Sequence, residues 1–352
     1  MQDYSTIYQE AVRLLQDLIA CPSYSREEQG TAQLIQQFFE RRSIPTQMMG
    51  NNVVVKGKYW STDKRTLLLN SHHDTVKPAK AYTKDPFLPI IEDGKLYGLG
   101  SNDAGGCLVS LIAAFVYYYD KDICVYNLVL VASAEEEISG INGIQLALPA
   151  LPYIDLAIVG EPTLLQMAVA ERGLMVIDGQ VKGIAGHAAR NEGENAIYNA
   201  IDAINWFRTY QFEKVSDFLG PISMNLTCIA TPNQAHNVVP DVLHYTVDIR
   251  INEHYTHQEV LAIIQQHVGG EISARSMRLQ SSMITLEDAL IQKGIALGKT
   301  YYGSPTLSDK ALMPFPALKM GPGDSARSHT ADEFIYLNEI EQGIADYISI
   351  LG

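Results

Sequence analysis

The sequence predicts an α/β protein with a central, mostly parallel sheet, interrupted by a small α+β insertion, and three observations carry this reading. Four short β-rich runs, NNVVVKG, TLLLNS, YNLVLVAS and DLAIVG, alternate with helical stretches, the pattern of a sheet covered on both faces. From about Met167 the texture changes to strand, helix, two strands and helix. From about Thr285 the chain returns to helix, strand and a closing helix. The expected division is therefore a domain of residues 1–168 and 282–352 that carries an insertion of residues 169–281.

The elements follow from their spacing. Ile7, Ala11, Leu14, Leu15 and Leu18 recur at helical intervals and predict an amphipathic helix over 6–20. Ser25 and Glu28 read as an S-x-x-E capping box opening a second helix near Arg26, with Leu34, Ile35, Phe38 and Phe39 as its buried face; its expected role is scaffold. Helical stretches are expected over 105–118 and 140–148. In the insertion, GLMVIDGQVKG, MNLTCIATP and LHYTVDIRINE read as strands, and NAIYNAIDAINWF and HQEVLAIIQQHV as helices. The last helix, DEFIYLNEIEQGIADYISIL, has the periodicity to dock onto the first domain.

Composition narrows the function. With 352 residues, 47% hydrophobic and 19% charged, the chain can bury an ordinary core in one large or two modest domains. A net charge of -14 repels nucleic acid and anionic membranes, so neither is expected as a partner. No apolar run reaches the roughly 20 residues of a membrane span, and the start lacks a signal-peptide pattern, so a cytoplasmic location is expected. Cys21, Cys107, Cys124 and Cys228 stand singly and read as reduced, mostly buried thiols. No internal repeat or low-complexity segment occurs.

Three of the five candidate ligands, His72, Glu137 and Glu161, follow β-rich runs. In SHHDT, His72 and Asp74 fall on one face of an extended chain and His73 on the other. This suits a metal-bound imidazole whose second nitrogen is held by Asp74, although an H-x-D alone is as compatible with a capping role. Asp103 lies in the glycine-rich YGLGSNDAGG, where it could bridge two cations or merely cap a helix. YNLVLVAS runs into Glu135, Glu136 and Glu137, whose mutual repulsion asks for solvent or a cation. DLAIVG ends in Glu161 of GEPT, and GPGDSARSHTADEF supplies His329. His72, Asp103, Glu137, Glu161 and His329 together offer nitrogen and oxygen donors without thiolates, as catalytic zinc prefers. A serine nucleophile finds no G-x-S-x-G elbow here.

These five motifs, in this order, resemble the metallo-aminoacylase and carboxypeptidase family that includes acetylornithine deacetylase, succinyl-diaminopimelate desuccinylase, aminoacylase and glutamate carboxypeptidase. The resemblance spans essentially the whole chain. It implies a zinc-exopeptidase-like catalytic domain and an inserted lid and dimerisation domain. It also implies two zinc ions per subunit, with cobalt or manganese as substitutes. Asp103 would bridge the ions, His72 and Glu161 would belong to one, and Glu137 and His329 to the other. Glu136 would be the general base, aligning A-E-E-E with the family's A-D-E-E; a register one residue earlier would give that role to Glu135. His187 in GHAAR would reach the neighbouring subunit's site in a homodimer and stabilise the oxyanion, while Asn237 in HNVVP and Arg250 in DIRINE would bind substrate. Taken alone, His187 also reads as a surface turn residue and Arg250 as a strand-end salt bridge. Lys310 stands where the family often has Arg and is a further candidate for the substrate carboxylate. The resemblance implies hydrolysis of a small N-acyl amino acid, with acetylornithine in arginine biosynthesis favoured by GEPT and the compact lid. Acetylcitrulline, acetyl-lysine, succinyl amino acids and dipeptides are alternatives, as is an inactive binding protein. Ser71 for the usual Gly, a shorter segment after His187, and Lys310 are departures that bear on substrate identity.

Overall fold

The computed structural model describes residues 4–352. The chain forms two compact units. The first runs to Val169 and resumes over Met283–Tyr302 and Ser308–Gly352; the second comprises Ala170–Ser282 and Gly303–Leu307.

In chain order the elements begin with α1 (Tyr4–Ile19), α2 (Gln29–Glu40), β1 (Thr46–Met49), β2 (Asn52–Lys56) and β3 (Thr66–His72). Then come β4 (Ile90–Glu92), β5 (Lys95–Tyr97), α3 (Gly106–Tyr119), β6 (Asn127–Ser133), α4 (Ile144–Ala147), β7 (Leu156–Val159) and β8 (Met167–Glu171). The insertion holds β9 (Gly173–Lys182), β10 (Gly186–His187), α5 (Ala196–Asn199), α6 (Ile201–Thr209), β11 (Ser223–Ala230), β12 (Val238–Val239), β13 (Val242–Ile251), α7 (His257–His267) and β14 (Glu271–Ala274). The chain closes with β15 (Ser282–Met283), α8 (Ala289–Ala296), β16 (Tyr301–Ser304), β17 (Ala317–Lys319), β18 (Phe334–Tyr336) and α9 (Leu337–Leu351).

The main sheet runs β1-β2-β6-β3-β7-β17-β8. Its centre is parallel, β6 to β3, β3 to β7 and β7 to β17, and it is flanked by antiparallel β2 and β8. Every residue of β3 and β6 is buried, as a sheet covered on both faces requires. One cover is α3, apolar on nearly all sides and buried from Gly106 to Phe115, which packs with α1 and α9. The opposite face buries Leu68, Val129, Val131 and Val159 beneath Ile144 and Ala147 of α4. The second unit is an antiparallel sheet, β11-β13-β9-β14, whose inward residues Ile177, Val247 and Ile249 cluster with Phe207 of α6 and Val260 and Ile264 of α7.

Several boundaries differ from expectation, each for a local reason. The capping box at Ser25 and Glu28 does not form. The helix α2 begins at Gln29 with no side-chain cap, because Ser25 Oγ donates to Asp74 Oδ2 at 2.7 Å and the Glu28 carboxylate accepts Arg26 N, Asn51 Nδ2 and Glu135 N. The helix expected over 140–148 shrinks to Ile144–Ala147. Its expected start is taken by bonds from Gly140 and Asn142 to Glu135, and Pro149 directs the next residues into a 3₁₀ turn. The long insertion helix divides at Ala200 into α5 and α6. The closing helix starts at Leu337, since Phe334–Tyr336 pair with β5. A capping box does form at Thr256 and Glu259, opening α7. The four cysteines are free, Cys107 and Cys124 buried, Cys21 half-buried and Cys228 exposed. Among the described residues no helix is long and apolar enough to cross a membrane.

The end of β7 is tightly built. Gly160 donates to Asn70 O at 2.7 Å and accepts Ser71 Oγ at 2.8 Å, so Ser71 bonds the neighbouring strand end directly. A Cβ on Gly160 would meet Leu111 Cδ1 at 2.7 Å and Ser71 Cβ at 3.1 Å. Gly160→Ala is expected to destabilise the protein by about 1–3 kcal/mol through overpacking, read as a lowered urea midpoint; an unchanged midpoint would contradict this packing.

Candidate metal centre

Because β6, β3 and β7 are parallel, their carboxyl ends lie along one edge of the sheet. His72 is the last residue of β3, Glu135, Glu136 and Glu137 follow β6, and Glu161 follows β7. His72 Nε2 stands 3.2 Å from Asp103 Oδ1, 3.8 Å from Glu136 Oε2 and 3.9 Å from Glu161 Oε1. His329 Nε2 lies 3.0 Å from Glu137 Oε2 and 3.6 Å from Asp103 Oδ2. The two oxygens of Asp103 thus face two different histidines. Among the described residues, two groups hold ligand atoms within 4.8 Å of one another: His72 with Asp103 and Glu137, and His72 with Glu136 and Glu161. All five residues named as ligands from the sequence come together, and Glu136 stands among them.

Asp103 is not a helix cap. It sits in a tight turn over Ser101–Gly105 at φ -116, ψ 98, entered through Gly100 at φ 74, and α3 begins only at Gly106. Asp74, completely buried, works through both its backbone and its side chain. Its carbonyl oxygen lies 3.0 Å from His72 Nδ1 and its Oδ1 3.4 Å away, so the imidazole is oriented chiefly by the backbone. Its carboxylate accepts Glu136 N at 3.0 Å, Glu137 N at 3.2 Å and Ser25 Oγ. His73 does point away. Its ring bonds Thr31 Oγ1 and Asn51 O, and burial lowers its pKa to about 4. Glu135 turns away as well, at φ 53, with its carboxylate bonded by Asn142 N and Nδ2.

The electrostatics match a cation site. Burial raises Glu136 well above the usual carboxylate range and Asp309, bonded by Ser133 Oγ at 2.5 Å, to about 6. Burial opposes charge on His72, but Asp103 and Asp74 overcome it and the imidazole pKa ends well above normal. Its bond to Glu137 raises His329 to about 9. The crowded carboxylates therefore draw positive charge onto both histidines, and a divalent ion would satisfy the same demand. A donor set of imidazole nitrogen and carboxylate oxygen fits zinc, and also cobalt or manganese.

The chain matches the model of peptidase family M20/M25/M40 over residues 68–351. It belongs to this family. The succinyl-diaminopimelate desuccinylase of Xylella fastidiosa strain M23 is 26% identical over 359 residues, covering 92% of this chain and 93% of that protein. A second such enzyme, from Ruegeria sp. strain TM1040, is 27% identical, covering 73% and 69%. Among solved structures, a tripeptidase from Staphylococcus aureus superposes with a TM-score of 0.76 at 19% identity, covering 98% and 97%. The Bacillus subtilis YXEP protein, described as a dinuclear metal-binding M20 peptidase, gives 0.73 at 14% identity, covering 99% and 98%. This family member is a metal-dependent hydrolase acting on amides, and its ligand geometry is consistent with two metal ions.

The remaining candidates are placed as follows. In the second unit, His187 is exposed, with Nδ1 accepting from Ala189 N, on the β10–β12 pair. Beside it, Asn237 O accepts Ala188 N. The Arg250 fork closes on Asp248 at 2.7 and 3.1 Å. Lys310 is completely buried in the first unit, its ammonium donating to Ala168 O at 3.2 Å. Sequence reasoning missed the site roles of Ser25, Glu28 and Glu333. The first two look like a helix cap in the sequence, and Glu333 looks like a helical acid.

Glu136→Ala is expected to keep its metal and lose about 10²- to 10⁴-fold in turnover, as loss of a general base does, measured by kcat beside metal content. Near-normal turnover in that variant, with Glu135→Ala inactive, would move the base one residue back.

Proposed function

We propose that this chain hydrolyses the amide of a small N-acyl amino acid, with N-acetylornithine the leading substrate and arginine biosynthesis the setting, in the cytoplasm. One observation carries the reading: Asp103 divides its oxygens between the His72 and His329 groups while Glu136 stands beside His72. Divalent ions held by His72, Asp103, Glu137, Glu161 and His329 would supply Lewis-acid polarisation of the acyl carbonyl and of water. Glu136 takes the proton from the attacking water and returns it to the departing amine. Burial, by raising this carboxyl above the usual carboxylate range, makes it the stronger base for taking the proton from water. Asp74 holds the Glu136 and Glu137 amides, keeping base and ligand on a fixed turn.

Arg250 is our candidate for the substrate α-carboxylate, because its planar fork can donate two parallel bonds. That fork is engaged by Asp248, so substrate must share or displace this partner. Asn237 would assist, whereas Lys310, the further candidate for the carboxylate, is buried with its ammonium donating to Ala168 O and so is not placed to reach it. A second reading, N-succinyl amino acids, is favoured by the desuccinylases that resemble the chain over most of its length. A panel of acetylornithine, acetylcitrulline, acetyl-lysine, succinyl-ornithine, succinyl-diaminopimelate and dipeptides separates them by kcat/KM. Acetylornithine is expected to lead, and Arg250→Ala to raise KM for it. A lead for a succinyl substrate or a dipeptide would replace the first reading.

We also propose a homodimer in which His187 completes the partner subunit's site and stabilises the oxyanion. Mixing inactive His187→Ala with inactive Glu136→Ala protein should restore part of the activity once subunits exchange, since some mixed dimers hold one complete site. No recovery under proven exchange, or a fully active monomer, would exclude that role.

A further inference from the structure

Glu333 is 2% exposed, and its carboxyl oxygens bond backbone amides. Its Oε2 accepts Gly100 N at 3.1 Å, and its Oε1 accepts both Asn102 N and Asp103 N at 2.9 Å. These three amides belong to one tight turn that precedes α3, at a point where the backbone follows no helical geometry. Amides that converge in this way form a nest for an acceptor group, and here the chain supplies the acceptor from its own Glu333 carboxyl. The clamp is anchored on its own side too. Gly98 N donates to the Glu333 backbone oxygen at 3.0 Å, and β18, which starts at the next residue, pairs with β5.

We propose that Glu333 is a positioning residue of the metal centre: by filling the amide nest of residues 100–103 it sets the direction in which Asp103 presents its carboxylate. The inference rests on Asp103 being the bridging ligand. Without the Glu333 carboxylate, buried amides lose their acceptor, and the turn must rotate to find another. Asp103 rotates with it, and because its two oxygens face different histidines, both halves of the site feel the change.

The neighbouring Asp332 provides a control. It accepts Thr83 N at 2.8 Å and Lys84 N at 2.9 Å, the same kind of clamp on a loop that carries no ligand. Zinc affinity by chelator competition, melting of the metal-free protein, and kcat and KM would be measured for Glu333→Gln, Asp332→Asn and Asp103→Ala. Glu333→Gln is expected to bind zinc about 10–100-fold more weakly and to lose kcat more than KM, with the metal-free protein still folded and melting cooperatively. Asp332→Asn should match the parent in zinc affinity. If Glu333→Gln does not fold, Glu333→Asp takes its place, keeping the charge at shorter reach. Parental zinc affinity in the variant tested overturns the proposal, as does a weakening matched by collapse of the metal-free protein. Should Asp103→Ala lose zinc while the Glu333 variant keeps it, the inference about Glu333 fails alone. If Asp103→Ala keeps zinc, the reading of the centre fails first.

Discussion

The structure turns on a concentration of like charge. Asp103, Glu136, Glu137 and Glu161 gather around two imidazoles where parallel strands end, and such carboxylates repel strongly once solvent is excluded. Folding tolerates this because the charge is offset: positive charge is drawn onto His72 and His329 and burial favours the neutral form of Glu136 in the bare protein, while cations meet the same demand in the working one. The fully buried β3 and β6 supply the rigidity that keeps these groups from springing apart.

Around this crowd stands another set of acids with a different job. Asp74 takes the amides of Glu136 and Glu137, Glu28 takes that of Glu135, and Glu333 takes three from the turn of Asp103. The inner acids point side chains at the site, whereas the outer ones grip backbone. This explains how irregular turns hold a defined geometry: their unpaired amides are satisfied by carboxylates rather than by water.

Much of this was legible in the sequence. The alternation of β-rich runs and helices gave the parallel sheet, and the ends of such runs gave three of the five candidate ligands, His72, Glu137 and Glu161, because strand ends in an α/β fold share one edge. The capping box at 25–28 was misread because a cap and an outer clamp use the same residue types, and only the fold brings Asp74 and Glu135 within reach. Glu333 was invisible for a similar reason. It lies just ahead of an amphipathic helix, where an acid is ordinary, and its partner turn is remote in the chain. Arg250 shows the converse: a motif match marks a residue, while the bond to Asp248 two positions away is a matter of rotamer.

The clamps span long stretches of chain: Glu28 to Glu135 covers 107 residues, His329 to Glu137 covers 192, and Glu333 to Asp103 covers 230. Contacts this distant form late, since each must close a large loop before it contributes. During synthesis the sheet edge emerges long before the segment bearing His329 and Glu333. The His329 side of the centre and the clamp on the Asp103 turn are therefore among the last contacts a nascent chain can make, whereas the clamps from Asp74 and Glu28 are available once Glu137 has emerged.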